Sequence, residues 1–149
     1  MGMRLRGLIL VLCVTTTTIP LTADDWREFR GPTGQGHAPG TNPPIEWSET
    51  ENIAWKSEVP GRGWSSPVIA DGRLWITTSV EDSTGSSLRL LAYDTDTGHQ
   101  LVDSEVFRIE DSDAPNPKNS LASPTAVIDP NNERVYVHFG AYGTAAVSL

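Results

Sequence analysis

Ser66-Pro67-Val68-Ile69-Ala70-Asp71-Gly72-Arg73-Leu74-Trp75-Ile76-Thr77 reads as a Ser-Pro opening, a short apolar run, a turn and a second strand-like run begun by Arg. The same order recurs at Ser123-Pro124-Thr125-Ala126-Val127-Ile128-Asp129, followed by a Pro-Asn-Asn turn and Arg134-Val135-Tyr136-Val137-His138. The two serines lie 57 positions apart, a spacing in the broad range of repeat architectures built from small sheets. A repeat unit cannot bury its apolar face alone, so two copies are too few for a closed structure. The chain is expected to be the opening section of something larger.

Around the first copy the strand spacing is regular. Pro67–Ala70 is a short strand closed by Asp71-Gly72, a hairpin dipeptide whose second residue tolerates positive φ. Leu74–Ser79 is the next strand, Glu81–Ser87 a polar loop, Leu88–Tyr93 a third strand, and Asp94-Thr95-Asp96-Thr97-Gly98 a turn before a fourth at Gln100–Val106. Four short strands joined by tight turns make one antiparallel, blade-sized sheet. After a loop at Glu110–Asn119, the runs Thr125–Asp129, Val135–Phe139 and Thr144–Leu149 supply three strands of a second unit. Its fourth strand is missing, because the chain stops at the position equivalent to Tyr93. On Val135–Phe139 the odd-numbered residues share one face and Tyr136 and His138 the other. The first copy matches them with Trp75 and Thr77, so both faces are fairly apolar, as stacked sheets require. No window carries a useful helical period, and the fold class is all-β.

Upstream, residues 24–60 read as a loop segment plus a first strand. Gly31-Pro32-Thr33-Gly34-Gln35-Gly36 and Gly40-Thr41-Asn42-Pro43-Pro44 forbid a regular helix. Trp26, Phe29 and Trp47 are expected to pin this loop onto a sheet surface. Ile53–Val59 alternates apolar and polar residues, the pattern of a half-buried strand ended by Pro60-Gly61.

The first 23 residues are a targeting segment rather than fold. Arg4 and Arg6 precede the apolar Leu8–Val14, and Leu21-Thr22-Ala23 offers a cleavage site before Asp24. The apolar stretch is too short for a spanning helix of about 20 residues. Cleavage would remove the only cysteine, Cys13, and leave 9 Lys and Arg against 19 Asp and Glu, a formal charge of −10 instead of −8. Such an acidic chain without a basic stripe argues against nucleic acid or anionic lipid as partners, and the absence of cysteine excludes a disulfide framework or thiolate chemistry. The product is expected to be exported, periplasmic or extracellular, with no stable membrane span.

Asp25-Trp26-Arg27-Glu28-Phe29-Arg30-Gly31-Pro32, Trp55-Lys56, Gly63-Trp64-Ser65-Ser66-Pro67 and Asp94-Thr95-Asp96-Thr97-Gly98 together resemble secreted bacterial proteins with PQQ-like (pyrroloquinoline-quinone-like) β-propeller repeats. Pro117-Lys118-Asn119-Ser120, Ala122-Ser123-Pro124-Thr125 and Val135-Tyr136-Val137-His138-Phe139-Gly140 add to the match, which covers nearly all of residues 25–149. The resemblance implies blades of four antiparallel strands, usually seven or eight around a channel, so residues 61–149 would be one full and one incomplete blade of a partial propeller. Val102 stands where such blades typically place a docking Trp, which implies a weaker contact between blades.

Candidate sites are few. Asp94–Gly98 with Glu105 has a faint likeness to a calcium loop, but its third acidic place is Gly98 and the needed glycine is His99. A strand-connecting turn in which Asp accepts backbone hydrogen bonds is the preferred reading. His37, His99 and His138 lack ligand spacing, and packed or surface histidines are preferred over a metal site. Gly63–Pro67 is no nucleophile elbow, since Pro67 replaces the second glycine, and Gly31–Gly36 lacks the Gly-Lys-Ser/Thr ending of a phosphate loop. Trp64 with Ser65, and Lys118 with Asn119, precede the two Ser-Pro signals and are the candidate rim surface for a partner, with capping of the blade edge as the plainer alternative.

The leading functional expectation is a non-catalytic binding or scaffolding segment in the cell envelope, with no catalytic, metal or cofactor-binding residue. Its partners would be another protein or the remaining propeller blades, with self-association through open blade edges. A first alternative is the N-terminal part of a quinoprotein dehydrogenase holding PQQ and calcium. A second is a truncated product with no independent activity.

Overall fold

The computed structural model describes residues 25–38, 43–110, 118–131 and 133–149, so the targeting segment lies outside the described residues, as do Gly40-Thr41-Asn42 and most of the Glu110–Asn119 loop. Among the described residues seven strands form two antiparallel sheets. Sheet 1 holds β1 (Val68–Ala70), β2 (Arg73–Asp82), β3 (Gly85–Asp94) and β4 (Gln100–Ile109) in that order. Sheet 2 holds β5 (Val127–Ile128), β6 (Arg134–His138) and β7 (Thr144–Ser148), with a single 3-10 turn at Gly140–Tyr142 before β7. No helix of the described residues is long and apolar enough to cross a membrane.

Local chemistry sets the turns. Asp71 and Gly72 both take positive φ, 50° and 69°, which is the left-handed pair that matches strand twist in a two-residue hairpin. At Asp94–Gly98 the Asp94 Oδ1 accepts hydrogen bonds from the backbone of Asp96 and Thr97 and from the Thr97 hydroxyl, at 2.7–3.1 Å. The Trp55 ring lies flat against Gly98, where a Cβ would come within 2.5 Å of it, and Trp55 Nε1 donates to Thr95 O at 2.8 Å.

Three sequence expectations fail here, the third in part. Glu81–Ser87 is not a loop: β2 runs on to Asp82 and β3 begins at Gly85, leaving Ser83-Thr84 as the turn. Asp82 holds that turn by accepting from the Thr84 amide and hydroxyl at 2.8 and 2.7 Å, a polar contact that looks like loop composition in the sequence. Ile53–Val59 is not a strand, for it pairs with no ladder and most of it is exposed. Instead it is hung on sheet 1 by side chains: Trp55 on the turn, the Tyr93 hydroxyl donating to Glu58 O at 3.0 Å, and the Thr78 hydroxyl to Pro60 O at 2.5 Å. Of the expected anchors, Phe29 and Trp47 are exposed, at 56% and 67%. Trp26 does anchor: it exchanges both backbone hydrogen bonds with Ile69, at 2.7 Å each, along the outer edge of β1.

The core lies between the two sheets. Sheet 1 contributes Val68, Trp75, Leu88, Leu90 and Ala92, and sheet 2 contributes Ile128, Val135, Val137 and Phe139, all 2% exposed or less. Phe107 and Phe139 meet edge to face with ring centroids 6.0 Å apart, a preferred aromatic geometry. Counted from the strand-opening Arg73 and Arg134, Trp75 matches Tyr136, and each pairs with a valine of the preceding strand, Val68 and Val127. Their environments differ: Trp75 and Thr77 face sheet 2 and are buried, whereas Tyr136 is 41% exposed and Val127 44%. Sheet 2 meets sheet 1 with its other face, that of Val135 and Val137.

Truncating an aromatic in such a core removes burial and leaves a cavity. Trp75→Ala is expected to cost about 3–5 kcal/mol of unfolding free energy, and Tyr136→Ala no more than about 1 kcal/mol. Urea denaturation of the two variants checks this asymmetry.

Candidate binding surface

The connections that precede the two Ser-Pro signals lie side by side. Trp64 N–H donates to Ala122 O at 3.0 Å, and Ser66 N–H to Thr125 Oγ1 at 3.1 Å. This proximity follows from how the first connection runs along β2. Arg62 and Ser79 exchange both backbone bonds at 2.9 Å. Pro67 has no amide to offer a ladder, and just upstream the Ser65 hydroxyl takes over, accepting from Thr77 N at 3.2 Å and donating to Thr77 O at 3.4 Å.

The four candidate residues therefore part company. Ser65 is spent on capping the strand edge. Trp64 is 58% exposed and lines an open cleft with Val59, Arg62, Ile76 and Thr77. Asn119 organises the second connection, its Oδ1 accepting from the Ser120 amide at 3.0 Å and from the Ser123 hydroxyl. It also borders two clefts, one toward Arg62 and Glu81 and one toward Leu121, Pro124 and Tyr142. Lys118 is exposed at the start of this connection. Arg62, Leu121 and Tyr142 went unflagged in the sequence because only the neighbouring connection and the Gly140–Tyr142 turn bring them to these clefts.

A more apolar cleft sits on the outer face of sheet 1, lined by Trp55, Val59, Pro67, Leu74, Ile76 and Tyr93. Desolvation, with the Asp103 carboxylate nearby, pushes the Tyr93 phenol up from its ordinary value. The outer margin of the same sheet is charged. Arg108 Nη2 reaches both carboxylate oxygens of Asp82 at 2.6 Å, Arg108 Nη1 lies 3.4 Å from Glu105, and Arg89 Nε lies 2.6 Å from Asp103. The Arg108 hydrogen bond holds Asp82 far below the usual carboxylate range, and the Ser87 hydroxyl holds Glu105 down. The Thr97 hydroxyl does the same for Asp94.

The three histidines fall in different places. His37 is in an exposed loop, His99 in the exposed turn before β4, and His138 on the outer face of β6 with its Nδ1 2.9 Å from Thr144 Oγ1. That contact ties β6 to β7. Among the described residues no group of three His, Cys, Asp or Glu side chains is placed to hold a metal ion. No family model, curated protein or solved structure matches the chain.

Two measurements test these assignments. Asp82, Asp94 and Glu105 have depressed folded-state values, so the stability they confer is present above the unfolded carboxylate pKa near 4 and is lost as pH falls below it. The melting temperature is expected to drop between about pH 5 and pH 3, and to drop less in Asp94→Asn, which keeps the acceptor but not the charge. Parallel curves would refute the assignment. Separately, the buried Ser79 hydroxyl finds no partner among the described residues. Ser79→Ala is expected to leave stability unchanged or raise it by up to about 1 kcal/mol, since an unpaired buried polar group is costly; equilibrium unfolding reads the sign.

Proposed function

We propose that this chain is an exported protein of the PQQ-like β-propeller repeat type, whose two sheets act as consecutive blades and whose work is binding or scaffolding in the cell envelope. The observation that carries the reading is the head-to-tail use of the sheet faces. Sheet 1 offers the Trp75 and Thr77 face, while sheet 2 offers the face of Val135 and Val137, the counterparts of Leu74 and Ile76. A two-fold sandwich would put like faces together; stacking unlike faces is the relation that radial repetition requires. The same relation leaves Val127 and Tyr136 exposed on the far face, where a further blade or a partner protein would sit.

The rim residues Trp64 and Asn119, beside the clefts described above, are the proposed contact points for a protein partner, with Lys118 next to them. The reading is non-catalytic. The quinoprotein alternative makes a direct demand: reconstitution with PQQ and calcium would have to yield dye-linked alcohol oxidation.

No turnover is expected in that assay, and turnover would overturn the proposal. In solution, the Trp75 indole is expected to show nuclear Overhauser contacts to the Val135 or Val137 methyls. Contacts from Leu74 or Ile76 to sheet 2 instead would replace head-to-tail stacking with a sandwich. The mature chain is expected to begin at Asp24, which N-terminal sequencing of the exported product reads directly.

A further inference from the structure

Six asparagines occur in the chain, and each is a latent electrophile. The backbone nitrogen of the next residue can attack the side-chain amide carbon and close a five-membered imide. Local structure decides which of them reacts. Asn42 and Asn116 precede Pro43 and Pro117, whose nitrogens carry no hydrogen and cannot serve as the nucleophile. Asn52 precedes the β-branched Ile53, which crowds its own nitrogen, and Asn52 Nδ2 is tied to Glu46 O at 2.8 Å. The nitrogen after Asn132 belongs to Glu133 and donates to Asp129 Oδ1 at 3.0 Å, so it is engaged elsewhere. Asn131 is followed by a side chain longer than serine.

Asn119 has none of these protections. The residue after it, Ser120, is small, and its backbone nitrogen donates to Asn119 Oδ1 at 3.0 Å, against the amide it would attack. Ser123 completes the arrangement. Its Oγ accepts from the same nitrogen at 3.1 Å, and its hydroxyl donates to Asn119 Oδ1. The connection holds this serine in place, with Ser120 Oγ 3.3 Å from Ser123 Oγ and accepting from the Ala122 amide at 3.2 Å. A nucleophile held at its target replaces a chance encounter along a flexible chain with a standing one. A hydroxyl donor already lies where negative charge develops. Asn119 is exposed, so water reaches it.

We propose that Asn119 is a self-modifying site, whose reaction with solvent water turns its amide into a carboxylate and releases ammonia. The Ser120 N–H gives its proton to solvent base, and the nitrogen bonds to Asn119 Cγ while the carbonyl electron pair moves onto Oδ1, against the Ser123 hydroxyl. The pair then returns, the Cγ–Nδ2 bond breaks, and Nδ2 takes a proton from water and leaves as ammonia. Water opens the imide at either carbonyl. Cleavage of the new Cγ–N bond leaves an aspartate. Cleavage at the main-chain carbonyl reroutes the backbone through the side chain as isoaspartate, one carbon longer. Either product adds negative charge to a chain of formal charge −8, at the border of the two clefts that Asn119 lines. The iso form also lengthens the connection whose Ala122 carbonyl accepts from Trp64 N–H. The inference rests on contacts within residues 119–123, so it stands whether or not the sheets are propeller blades.

Incubating the full chain in mildly alkaline buffer, digesting it with trypsin and sequencing Asn119–Arg134 by tandem mass spectrometry reads conversion at each asparagine of that peptide. Asn119 is expected to convert at least about tenfold faster in the native chain than in the same chain unfolded in urea at equal pH and temperature. An equal or slower native rate overturns the proposal, since the contacts would then protect the amide. Conversion at Asn131 ahead of Asn119 in the native chain sinks it as well. Ser123→Ala is expected to slow native conversion about tenfold by removing the donor to Oδ1, and Ser123→Thr to restore it; an unchanged rate in Ser123→Ala refutes the assignment. Should Ser123→Ala fail to fold, the comparison of native and urea-unfolded natural chain decides.

Discussion

The buried apolar cluster that Trp75, Leu88 and Leu90 of sheet 1 share with Val135, Val137 and Phe139 is the contact on which the rest of the molecule depends. Neither sheet could stand alone. A three-stranded sheet with strands of two and five residues has little to hold it on its own, and among the described residues sheet 1 is what covers its Val135 and Val137 face. Burying that face against sheet 1 supplies the non-directional stabilisation that orders both. The contact has a direction as well, since it joins unlike faces and leaves outside it Leu74 and Ile76 on sheet 1 and Val127 and Tyr136 on sheet 2.

Backbone hydrogen bonds at the β1 and β5 edges secure what the apolar contact brings together. Asp25, Trp26 and Arg27 act as a staple: Trp26 pairs with Ile69 in sheet 1, Arg27 pairs with Ile128 and Asp129 at sheet 2, and the Asp25 carboxylate accepts from the Asp71 amide at 3.3 Å while ion-pairing with Arg27. A short polar motif thus satisfies edge groups of both sheets that would otherwise stay unpaired. The clefts beside Trp64 and Asn119 and the exposed Val127 and Tyr136 on the outer face of sheet 2 lie apart from this staple.

The legible parts of the site and fold were those governed by near neighbours. Asp71-Gly72 and Asp94–Gly98 announced their turns because positive φ and an Asp that accepts from the next few residues are local matters. Ser83-Thr84 hid its turn, since the amide and hydroxyl caps on Asp82 leave only a polar composition behind. Ile53–Val59 alternated like a strand, yet a strand needs an open ladder beside it, and Trp55 and Tyr93 dock the segment on a face. For Ser65 the sequence offers both a partner surface and capping of the blade edge, and its hydroxyl does complete the edge of β2. That role depends on a partner twelve residues away.

From the sequence alone came the all-β class, the seven strands within a few residues of their ends, and the alternation that sets Val135 and Val137 against Tyr136 and His138. These follow from backbone sterics and a two-residue period, both read along the chain. The tertiary structure alone decided which of those faces is covered and which edges are closed by Trp26 and Arg27. Such choices depend on what lies across a gap from each strand, and the pattern of one strand is the same whether its outer side meets another sheet or water.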